Sequence, residues 1–246
     1  MVTKAEGILL KRNNFRETSL LVSFFTKEFG KINGLIKGVR KDPKKIASNL
    51  SICSLNDIHF YRSRNSEIDL ISQCDLKKDY SFIAKDIRKL ALASYVLEFT
   101  DTVMQLHDKN IKIFELLVNC LNSIETDDPE KILYLFQIKT LTLSGFKPHL
   151  ETCISCGKEL KQEANFSIYL GGLVCQDCKT KDRNSASVLK GTINSIIFLE
   201  SSPWKKALNL NLSKPIRQEL RGILYNFLNF HLEKNLKSYR FLFQPI

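Results

Sequence analysis

Short apolar runs of strand length fill the first 75 or so residues, and apolar positions at helical spacing fill most of the rest. Residues 7–10, 19–26, 30–37, 57–62 and 68–71 are each rich in Leu, Ile, Val and Phe, with turn-forming residues between them. Lys27, Glu28, Phe29 and Gly30 fit a hairpin connection, and residues 63–67 are a polar link of the same kind. Four to five short antiparallel strands at this spacing predict a small closed barrel of the OB type, and an SH3-like barrel fits the bare pattern too.

From Asp79 the period changes. Asp79 is an expected N-cap for a helix carrying Ile83, Ile87, Leu90, Ser94 and Leu97 and running to about Leu106. Ile113, Leu116, Leu117, Cys120, Leu121 and Ile124 mark a second helix. A third starts at Pro129, a residue suited to the first helical position, and ends at Gly145. A strand is expected over 166–170, with Gly171 and Gly172 turning the chain. Helix resumes after Arg183, with Ile193, Ile196, Ile197 and Leu199 on one segment and Ile216, Leu220, Ile223, Leu224, Phe227, Leu228 and His231 on another. The class is α+β: an OB-type barrel over 1–78, a helical bundle over 79–150, a four-cysteine module over 151–182, and a C-terminal helical segment over 183–246 that packs on the bundle. His107 and His231 read as helix-end or core residues.

Composition narrows the picture. A 43% hydrophobic content suits folded domains and not wholesale disorder. No run of 18 apolar residues occurs, so no membrane span is expected, and the N-terminus lacks the apolar core of a signal segment. The net charge is +11. It is uneven: 15 basic against 9 acidic residues over 1–80, 8 against 9 over 81–150, and 14 against 8 over 151–246. Basic ends around a neutral middle point first to nucleic acid, then to an anionic membrane surface. The plainer account is charge that serves solubility.

Of seven cysteines, four form two Cys-x-x-Cys pairs, Cys153/Cys156 and Cys175/Cys178, with 18 residues between them. That spacing suits a four-cysteine zinc site, in which each knuckle aims two thiolates at one ion. A closed set of four sulfurs leaves no open position, so one structural Zn²⁺ is expected. The plainer account is four unligated thiols. Cys53, Cys74 and Cys120 are scattered among apolar neighbours and read as buried free thiols, which implies a reducing, cytosolic setting. A catalytic metal has one sequence argument. His149-Leu150-Glu151 precedes Cys175-x-x-Cys178, as in zinc-dependent nucleobase deaminases, where one His and two Cys hold the ion. Val174 stands where those enzymes have proline, and Cys153 and Cys156 complete a sulfur set without His149.

Residues 37–45 hold five basic side chains and one acid, with Gly38 and Pro43 opposing regular structure. A basic loop at a barrel rim can follow a phosphate backbone. The candidate DNA-binding set is Lys37, Arg40, Lys41, Lys44 and Lys45, extended by Lys11, Arg12 and Arg16. Phe15, Phe24, Phe25, Phe29, Phe60 and Tyr61 are interleaved, and one or two of them are expected to stack on bases while others, Phe24 and Phe60 first, fill the core. The plainer account of the loop is a solvated charge run.

The order of parts resembles the bacterial RecO family of recombination and DNA-repair proteins. The likeness is carried by Glu6-Gly7-Ile8-Leu9-Leu10, Arg16-Glu17-Thr18-Ser19, Phe25-Thr26-Lys27-Glu28-Phe29-Gly30-Lys31 and Lys37-Gly38-Val39-Arg40-Lys41. It continues through Leu143-Ser144-Gly145-Phe146-Lys147-Pro148, Gly171-Gly172-Leu173-Val174-Cys175 and Leu236-Lys237-Ser238-Tyr239-Arg240-Phe241-Leu242. The resemblance implies a mediator and not an enzyme. It implies an OB fold that binds single- and double-stranded DNA, annealing of complementary strands, and, with RecR, help in loading RecA on DNA coated by SSB, whose acidic C-terminal tail is contacted. It also implies a cytoplasmic, nucleoid-associated protein of the RecF pathway with no membrane partner. Two other classes remain open at this point: an RNA-binding protein built from zinc-ribbon and OB parts, and, more remotely, the deaminase.

Overall fold

The computed structural model describes residues 1–39, 50–160 and 164–243. They form two compact units: residues 1–126 together with the segment that begins at Lys237, and residues 127–236.

The first unit is built on a closed five-stranded barrel with strand order β1-β2-β3-β5-β4. Its strands are β1 (Val2–Phe15), β2 (Ser19–Thr26), β3 (Gly30–Ile36), β4 (Leu55–Tyr61) and β5 (Ile68–Lys78). Neighbours are antiparallel except β3 and β5, which close the barrel in parallel. In β3 the alternation of Ile32 and Ile36 with Lys31, Asn33 and Leu35 sets which face turns inward, as the two-residue period of a strand requires. Leu9, Val22, Phe24, Ile32, Ile36, Ile58, Phe60 and Ile71 fill the interior. The β3–β5 seam needs Gly34, because a Cβ there would stand 2.5 Å from the Ile71 side chain.

β1 serves two neighbours. Its first half pairs with β4 and its second with β2, and between Leu9 and Lys11 the register with β2 slips. This bulge lets the strand run on past the barrel, and Lys11, Arg12, Asn13 and Asn14 are all exposed.

The helices of this unit are α1 (Ile87–Val103), α2 (Ile111–Ser123) and the short α7 (Tyr239–Leu242). The cap expected at Asp79 is corrected. Residues 81–85 form a 3-10 turn, and the cap of α1 is Asp86, whose carboxylate accepts from the Arg88 and Lys89 amides. Asp79 accepts only from the Ser81 amide, because Ile83 is drawn into the core and breaks the helical path. α1 also ends at Val103 rather than Leu106, where Leu106 bridges to Lys31 and the His107 amide donates to the Lys31 carbonyl at 2.8 Å. α2 starts at its cap Asn110, whose side chain accepts from the Ile113 amide at 3.1 Å. Asn110→Ala is expected to lower stability by about 1 kcal/mol, read as a lower urea midpoint with an unchanged slope.

α7 returns to α1. Glu98 accepts from the Lys237 amide at 3.0 Å, the Ser238 amide at 2.8 Å and the Ser238 hydroxyl, and Tyr239 packs on the buried Tyr95 ring. Burial opposes the Glu98 charge, but these donors outweigh it and hold its carboxyl below the usual range.

The second unit contains α3 (Pro129–Leu143), α4 (Lys190–Ser201), α5 (Trp204–Leu208) and α6 (Lys214–Leu232), with a three-stranded sheet in the order β7-β6-β8. The sheet strands are β6 (Ala164–Ser167), β7 (Gly172–Val174) and β8 (Ala186–Val188). β6 ends before the expected residue 170, because the chain has already turned to pair with β7. Asp128 caps α3, and Pro129 opens it as anticipated. Arg217 on α6 bonds Asp128 at 2.6 Å, Glu130 at 2.9 Å and the Leu212 carbonyl at 3.1 Å, which ties α6 to the start of α3. Lys139 ties the same helix to the end of α4 through the Glu200 and Ser202 carbonyls. His231 is lodged among Phe146, Phe227 and Phe230 with ring centroids 4.2–5.8 Å away, and burial lowers its pKa. Among the described residues no helix is long and apolar enough to cross a membrane.

Candidate functional site

Two places carry chemistry. The first is the cysteine cluster. After His149 the chain runs beside β7: the His149 amide donates to the Gly171 carbonyl, and the Leu173 amide donates to the His149 carbonyl, both at 2.9 Å. Gly172 permits this approach, since a Cβ there would lie 2.5 Å from the His149 oxygen. The Ile154 amide then bonds the Leu173 carbonyl at 2.8 Å, and the Gly157 amide closes the first knuckle on the Cys153 carbonyl at 2.8 Å. β7 delivers Cys175 directly, and the Cys178 amide closes the second knuckle on the Cys175 carbonyl at 3.1 Å.

Cys153, Cys156, Cys175 and Cys178 therefore meet, with all four sulfurs within 4.8 Å of one another. Cys156 Sγ and Cys175 Sγ are 3.8 Å apart. A tetrahedral ion with sulfur ligands at about 2.3 Å spaces the sulfurs by about 3.8 Å, so the cluster is of the right size. The Cys175 amide donates to Cys153 Sγ at 3.3 Å. Val174, Leu160 and Leu170 pack around the group. Burial works against ionisation of Cys153, but amide donors from Cys175, Ser155 and Cys156 outweigh it and bring its pKa down to about 6. Burial and the neighbouring thiols push Cys178 up to about 12. Four thiols this close do not all ionise together without a cation, and a bound divalent ion supplies the missing charge. The donor set thus fits a soft, tetrahedral metal.

His149 is not among the four. Its Nε2 lies 2.8 Å from Thr152 Oγ1, and Glu151 faces solvent beside Lys147 at 3.4 Å. The His-x-Glu pair that motivated a deaminase does not join the sulfur cluster among the described residues. Cys53, Cys74 and Cys120 are buried, and burial pushes the first two thiols up to about 12. That environment suppresses the reactive thiolate.

The second place is the barrel surface. The β1–β2 hairpin projects past the bulge and turns at Arg16, which adopts φ +51 and lays its guanidinium 5.3 Å from the Phe15 ring centroid. Arg16 and Lys37 are exposed at the same end of the barrel, since Leu20 pairs with Ile36. Arg12 donates to the Leu50 carbonyl at 2.8 Å, and Lys11 pairs with Asp101 on α1. Arg40, Lys41, Lys44 and Lys45 lie outside the described residues. The sequence pattern does not single out Arg62 and Arg64, which are exposed on the β4–β5 connection. That connection is shaped by buried Asp69, which accepts from the Ser63 amide at 2.9 Å. The β1–β2 and β4–β5 connections are the loops with which OB folds hold oligonucleotides, and that rule is the signal by which Arg62 and Arg64 could have been found.

The aromatic set divides. Phe24, Phe25 and Phe60 are fully buried. Phe29 packs edge-on to Phe60 with the Arg62 guanidinium 4.7 Å above it. Tyr61 is exposed, while Phe15 is half-buried beneath the Arg16 guanidinium.

Comparison with known proteins gives one answer over almost the whole chain. A family model described as recombination protein O N terminal matches residues 1–80, and one described as recombination protein O C terminal matches residues 84–240. A DNA repair protein RecO from Pelotomaculum thermopropionicum is 30% identical over 239 residues, covering 97% of this chain and 93% of its own. Those from Caldicellulosiruptor saccharolyticus (30% over 237 residues, 95% of each chain) and Desulforamulus reducens (29% over 242 residues, 98% and 94%) are similar to the same extent.

Proposed function

The chain belongs to the RecO family of DNA repair proteins, and on that premise we propose that it is a recombination mediator rather than an enzyme. It binds single- and double-stranded DNA, anneals complementary strands and, with RecR, assists loading of RecA on strands coated by SSB, whose acidic tail it contacts. It works in the cytoplasm, at the nucleoid. The observation that carries this reading is the closed barrel whose β1–β2 hairpin leaves the core and exposes Arg12 and Arg16, with Lys37 exposed at the same end.

The mechanism is electrostatic. Lysines and arginines on the barrel neutralise phosphate and release counterions, so affinity falls steeply with salt. Two strands held on one basic surface repel each other less, which favours their pairing. Tyr61 offers a face on which a base stacks, a contact tolerant of sequence. The four cysteines would hold one Zn²⁺, which when bound would neutralise their thiolates. The chain's own contribution is the amide set that orients the sulfurs.

Replacing Arg40, Lys41, Lys44 and Lys45 together by alanine tests the charge assignment. If each contacts one phosphate, the slope of log affinity against log salt for a single strand falls by about 3. An unchanged slope would remove Arg40, Lys41, Lys44 and Lys45 from the interface. Competition between DNA and RNA strands of equal length and sequence tests the substrate class. DNA should win or tie, and a strong preference for RNA would favour an RNA-binding protein instead.

A further inference from the structure

A cavity of about 360 Å³ lies on the outer side of the barrel sheet, bordered by the end of α1. One rung of the sheet crosses it: Lys11 pairs with Ser23, Ser23 with Asn33, and Asn33 with Ile68. The next rung adds Asn13 and Leu21. The lining thus combines an apolar floor with amides, a hydroxyl and two lysines. The Ser23 hydroxyl is buried, only 7% of the residue being accessible, and it has no hydrogen-bond partner. A buried hydroxyl left unsatisfied costs free energy, and a ligand atom that bonds it recovers that cost.

Both lysines of the cavity are held by one residue. Lys11 Nζ pairs with the Asp101 carboxylate, and Lys31 Nζ lies 3.4 Å from its other oxygen while donating to the Asp101 carbonyl at 2.7 Å. Asp101 stands in the last turn of α1, and no basic residue of the helix itself lies in that turn. A carboxylate there faces the negative end of the helix dipole, so the helix gains nothing from it. The carboxylate presents to the two ammonium groups what a phosphate would present.

Resting on the DNA-binding reading above, we propose that Asp101 is a built-in competitor for nucleic-acid phosphate. The cavity takes one nucleotide of a bound strand. The phosphate displaces the Asp101 carboxylate from Lys11 and Lys31, and the base meets Ser23 and Asn13 over the apolar floor. Binding is weakened by the exchange, which keeps the strand releasable.

The test is Asp101→Asn, which keeps the shape and the backbone contact to Lys31 while removing the charge. Affinity for a labelled single-stranded oligonucleotide, measured by anisotropy across a salt series, should rise several-fold. The salt slope should steepen by about 0.7, for the one phosphate that the two lysines then neutralise without competition. Lys11→Gln, at a half-exposed side chain that the fold tolerates, should weaken binding, and combining it with Asp101→Asn should cancel most of the gain. Wild-type binding with an unchanged or weaker affinity in a folded Asp101→Asn protein overturns the competitor role, as does Lys11→Gln that binds like wild type. Absence of binding by the wild-type protein even at low salt would overturn the DNA reading itself, and this proposal with it.

Discussion

Cys175→Ser is expected to release the bound metal and to unfold the lobe formed by β6, β7 and the two knuckles. Cys175 is central for two reasons. Its sulfur faces Cys156 Sγ, and its amide donates to Cys153 Sγ, so one residue couples both knuckles. The lobe has few other resources: β7 has three residues, and the local core is Val174 with Leu160, Leu170 and the cysteines themselves. In zinc-finger peptides metal binding contributes roughly 10–16 kcal/mol to folding. Loss of one ligand of four in a lobe attached to a larger core should cost on the order of 5 kcal/mol. Elemental analysis should show one zinc per wild-type chain and none in the variant, with a large fall in the thermal midpoint. DNA binding by the barrel should persist at temperatures where the variant is still folded. A metal-free variant that melts like wild type would show that the four thiols are structural without an ion.

Arg217→Met should be the most damaging single change outside the cluster. It removes the hub that joins Asp128, Glu130 and the Leu212 carbonyl while keeping an apolar stem. Asp128 would be left half-buried without its countercharge, while Glu130 would keep Arg221 alone. Stranding fully buried charges costs about 3–5 kcal/mol, and partial exposure reduces this to about 2 kcal/mol. The pH dependence gives the signature. Burial opposes the Asp128 charge, but Arg217 and the Glu130 and Lys131 amides outweigh it and hold the carboxyl below its ordinary range. A folded pKa below the unfolded value means the contribution is full above about pH 4 and is lost as pH falls through the folded pKa. The stability gap between wild type and Arg217→Met, read by urea denaturation, should therefore be full at pH 7 and shrink in acid. A gap independent of pH would place the effect in the packing of the arginine stem.

The barrel was legible because its core strands alternate or run apolar over strand length, as β2 and β3 do. The meeting of the four cysteines was legible because Cys-x-x-Cys is a local motif whose backbone turn and sulfur direction come together. Features that depend on distant partners were not. The second half of β1 carries Lys11, Arg12, Asn13 and Asn14, a polar run that looks like a loop because no core faces it beyond the bulge. β8 is three residues long and carries no periodic signal. Asp79 and Asp86 are equivalent as letters, and only the burial of Ile83 decides between them. Arg217 and Asp128 are 89 positions apart. Asp101 reads simply as a polar position on a helix until β1 and β3 bring Lys11 and Lys31 to it.

The return of Lys237, Ser238 and Tyr239 to Glu98 and Tyr95 makes the second unit an insertion within the first. During synthesis the barrel, α1 and α2 leave the ribosome first, yet the piece that covers Tyr95 is made only after the whole cysteine-bearing unit. Domains fold as they emerge, N-terminal parts first, but the contacts of the earliest unit are complete only once the latest residues are made. Nascent-chain stalling at increasing lengths would show the cysteine-bearing unit reaching protease resistance before α1 does.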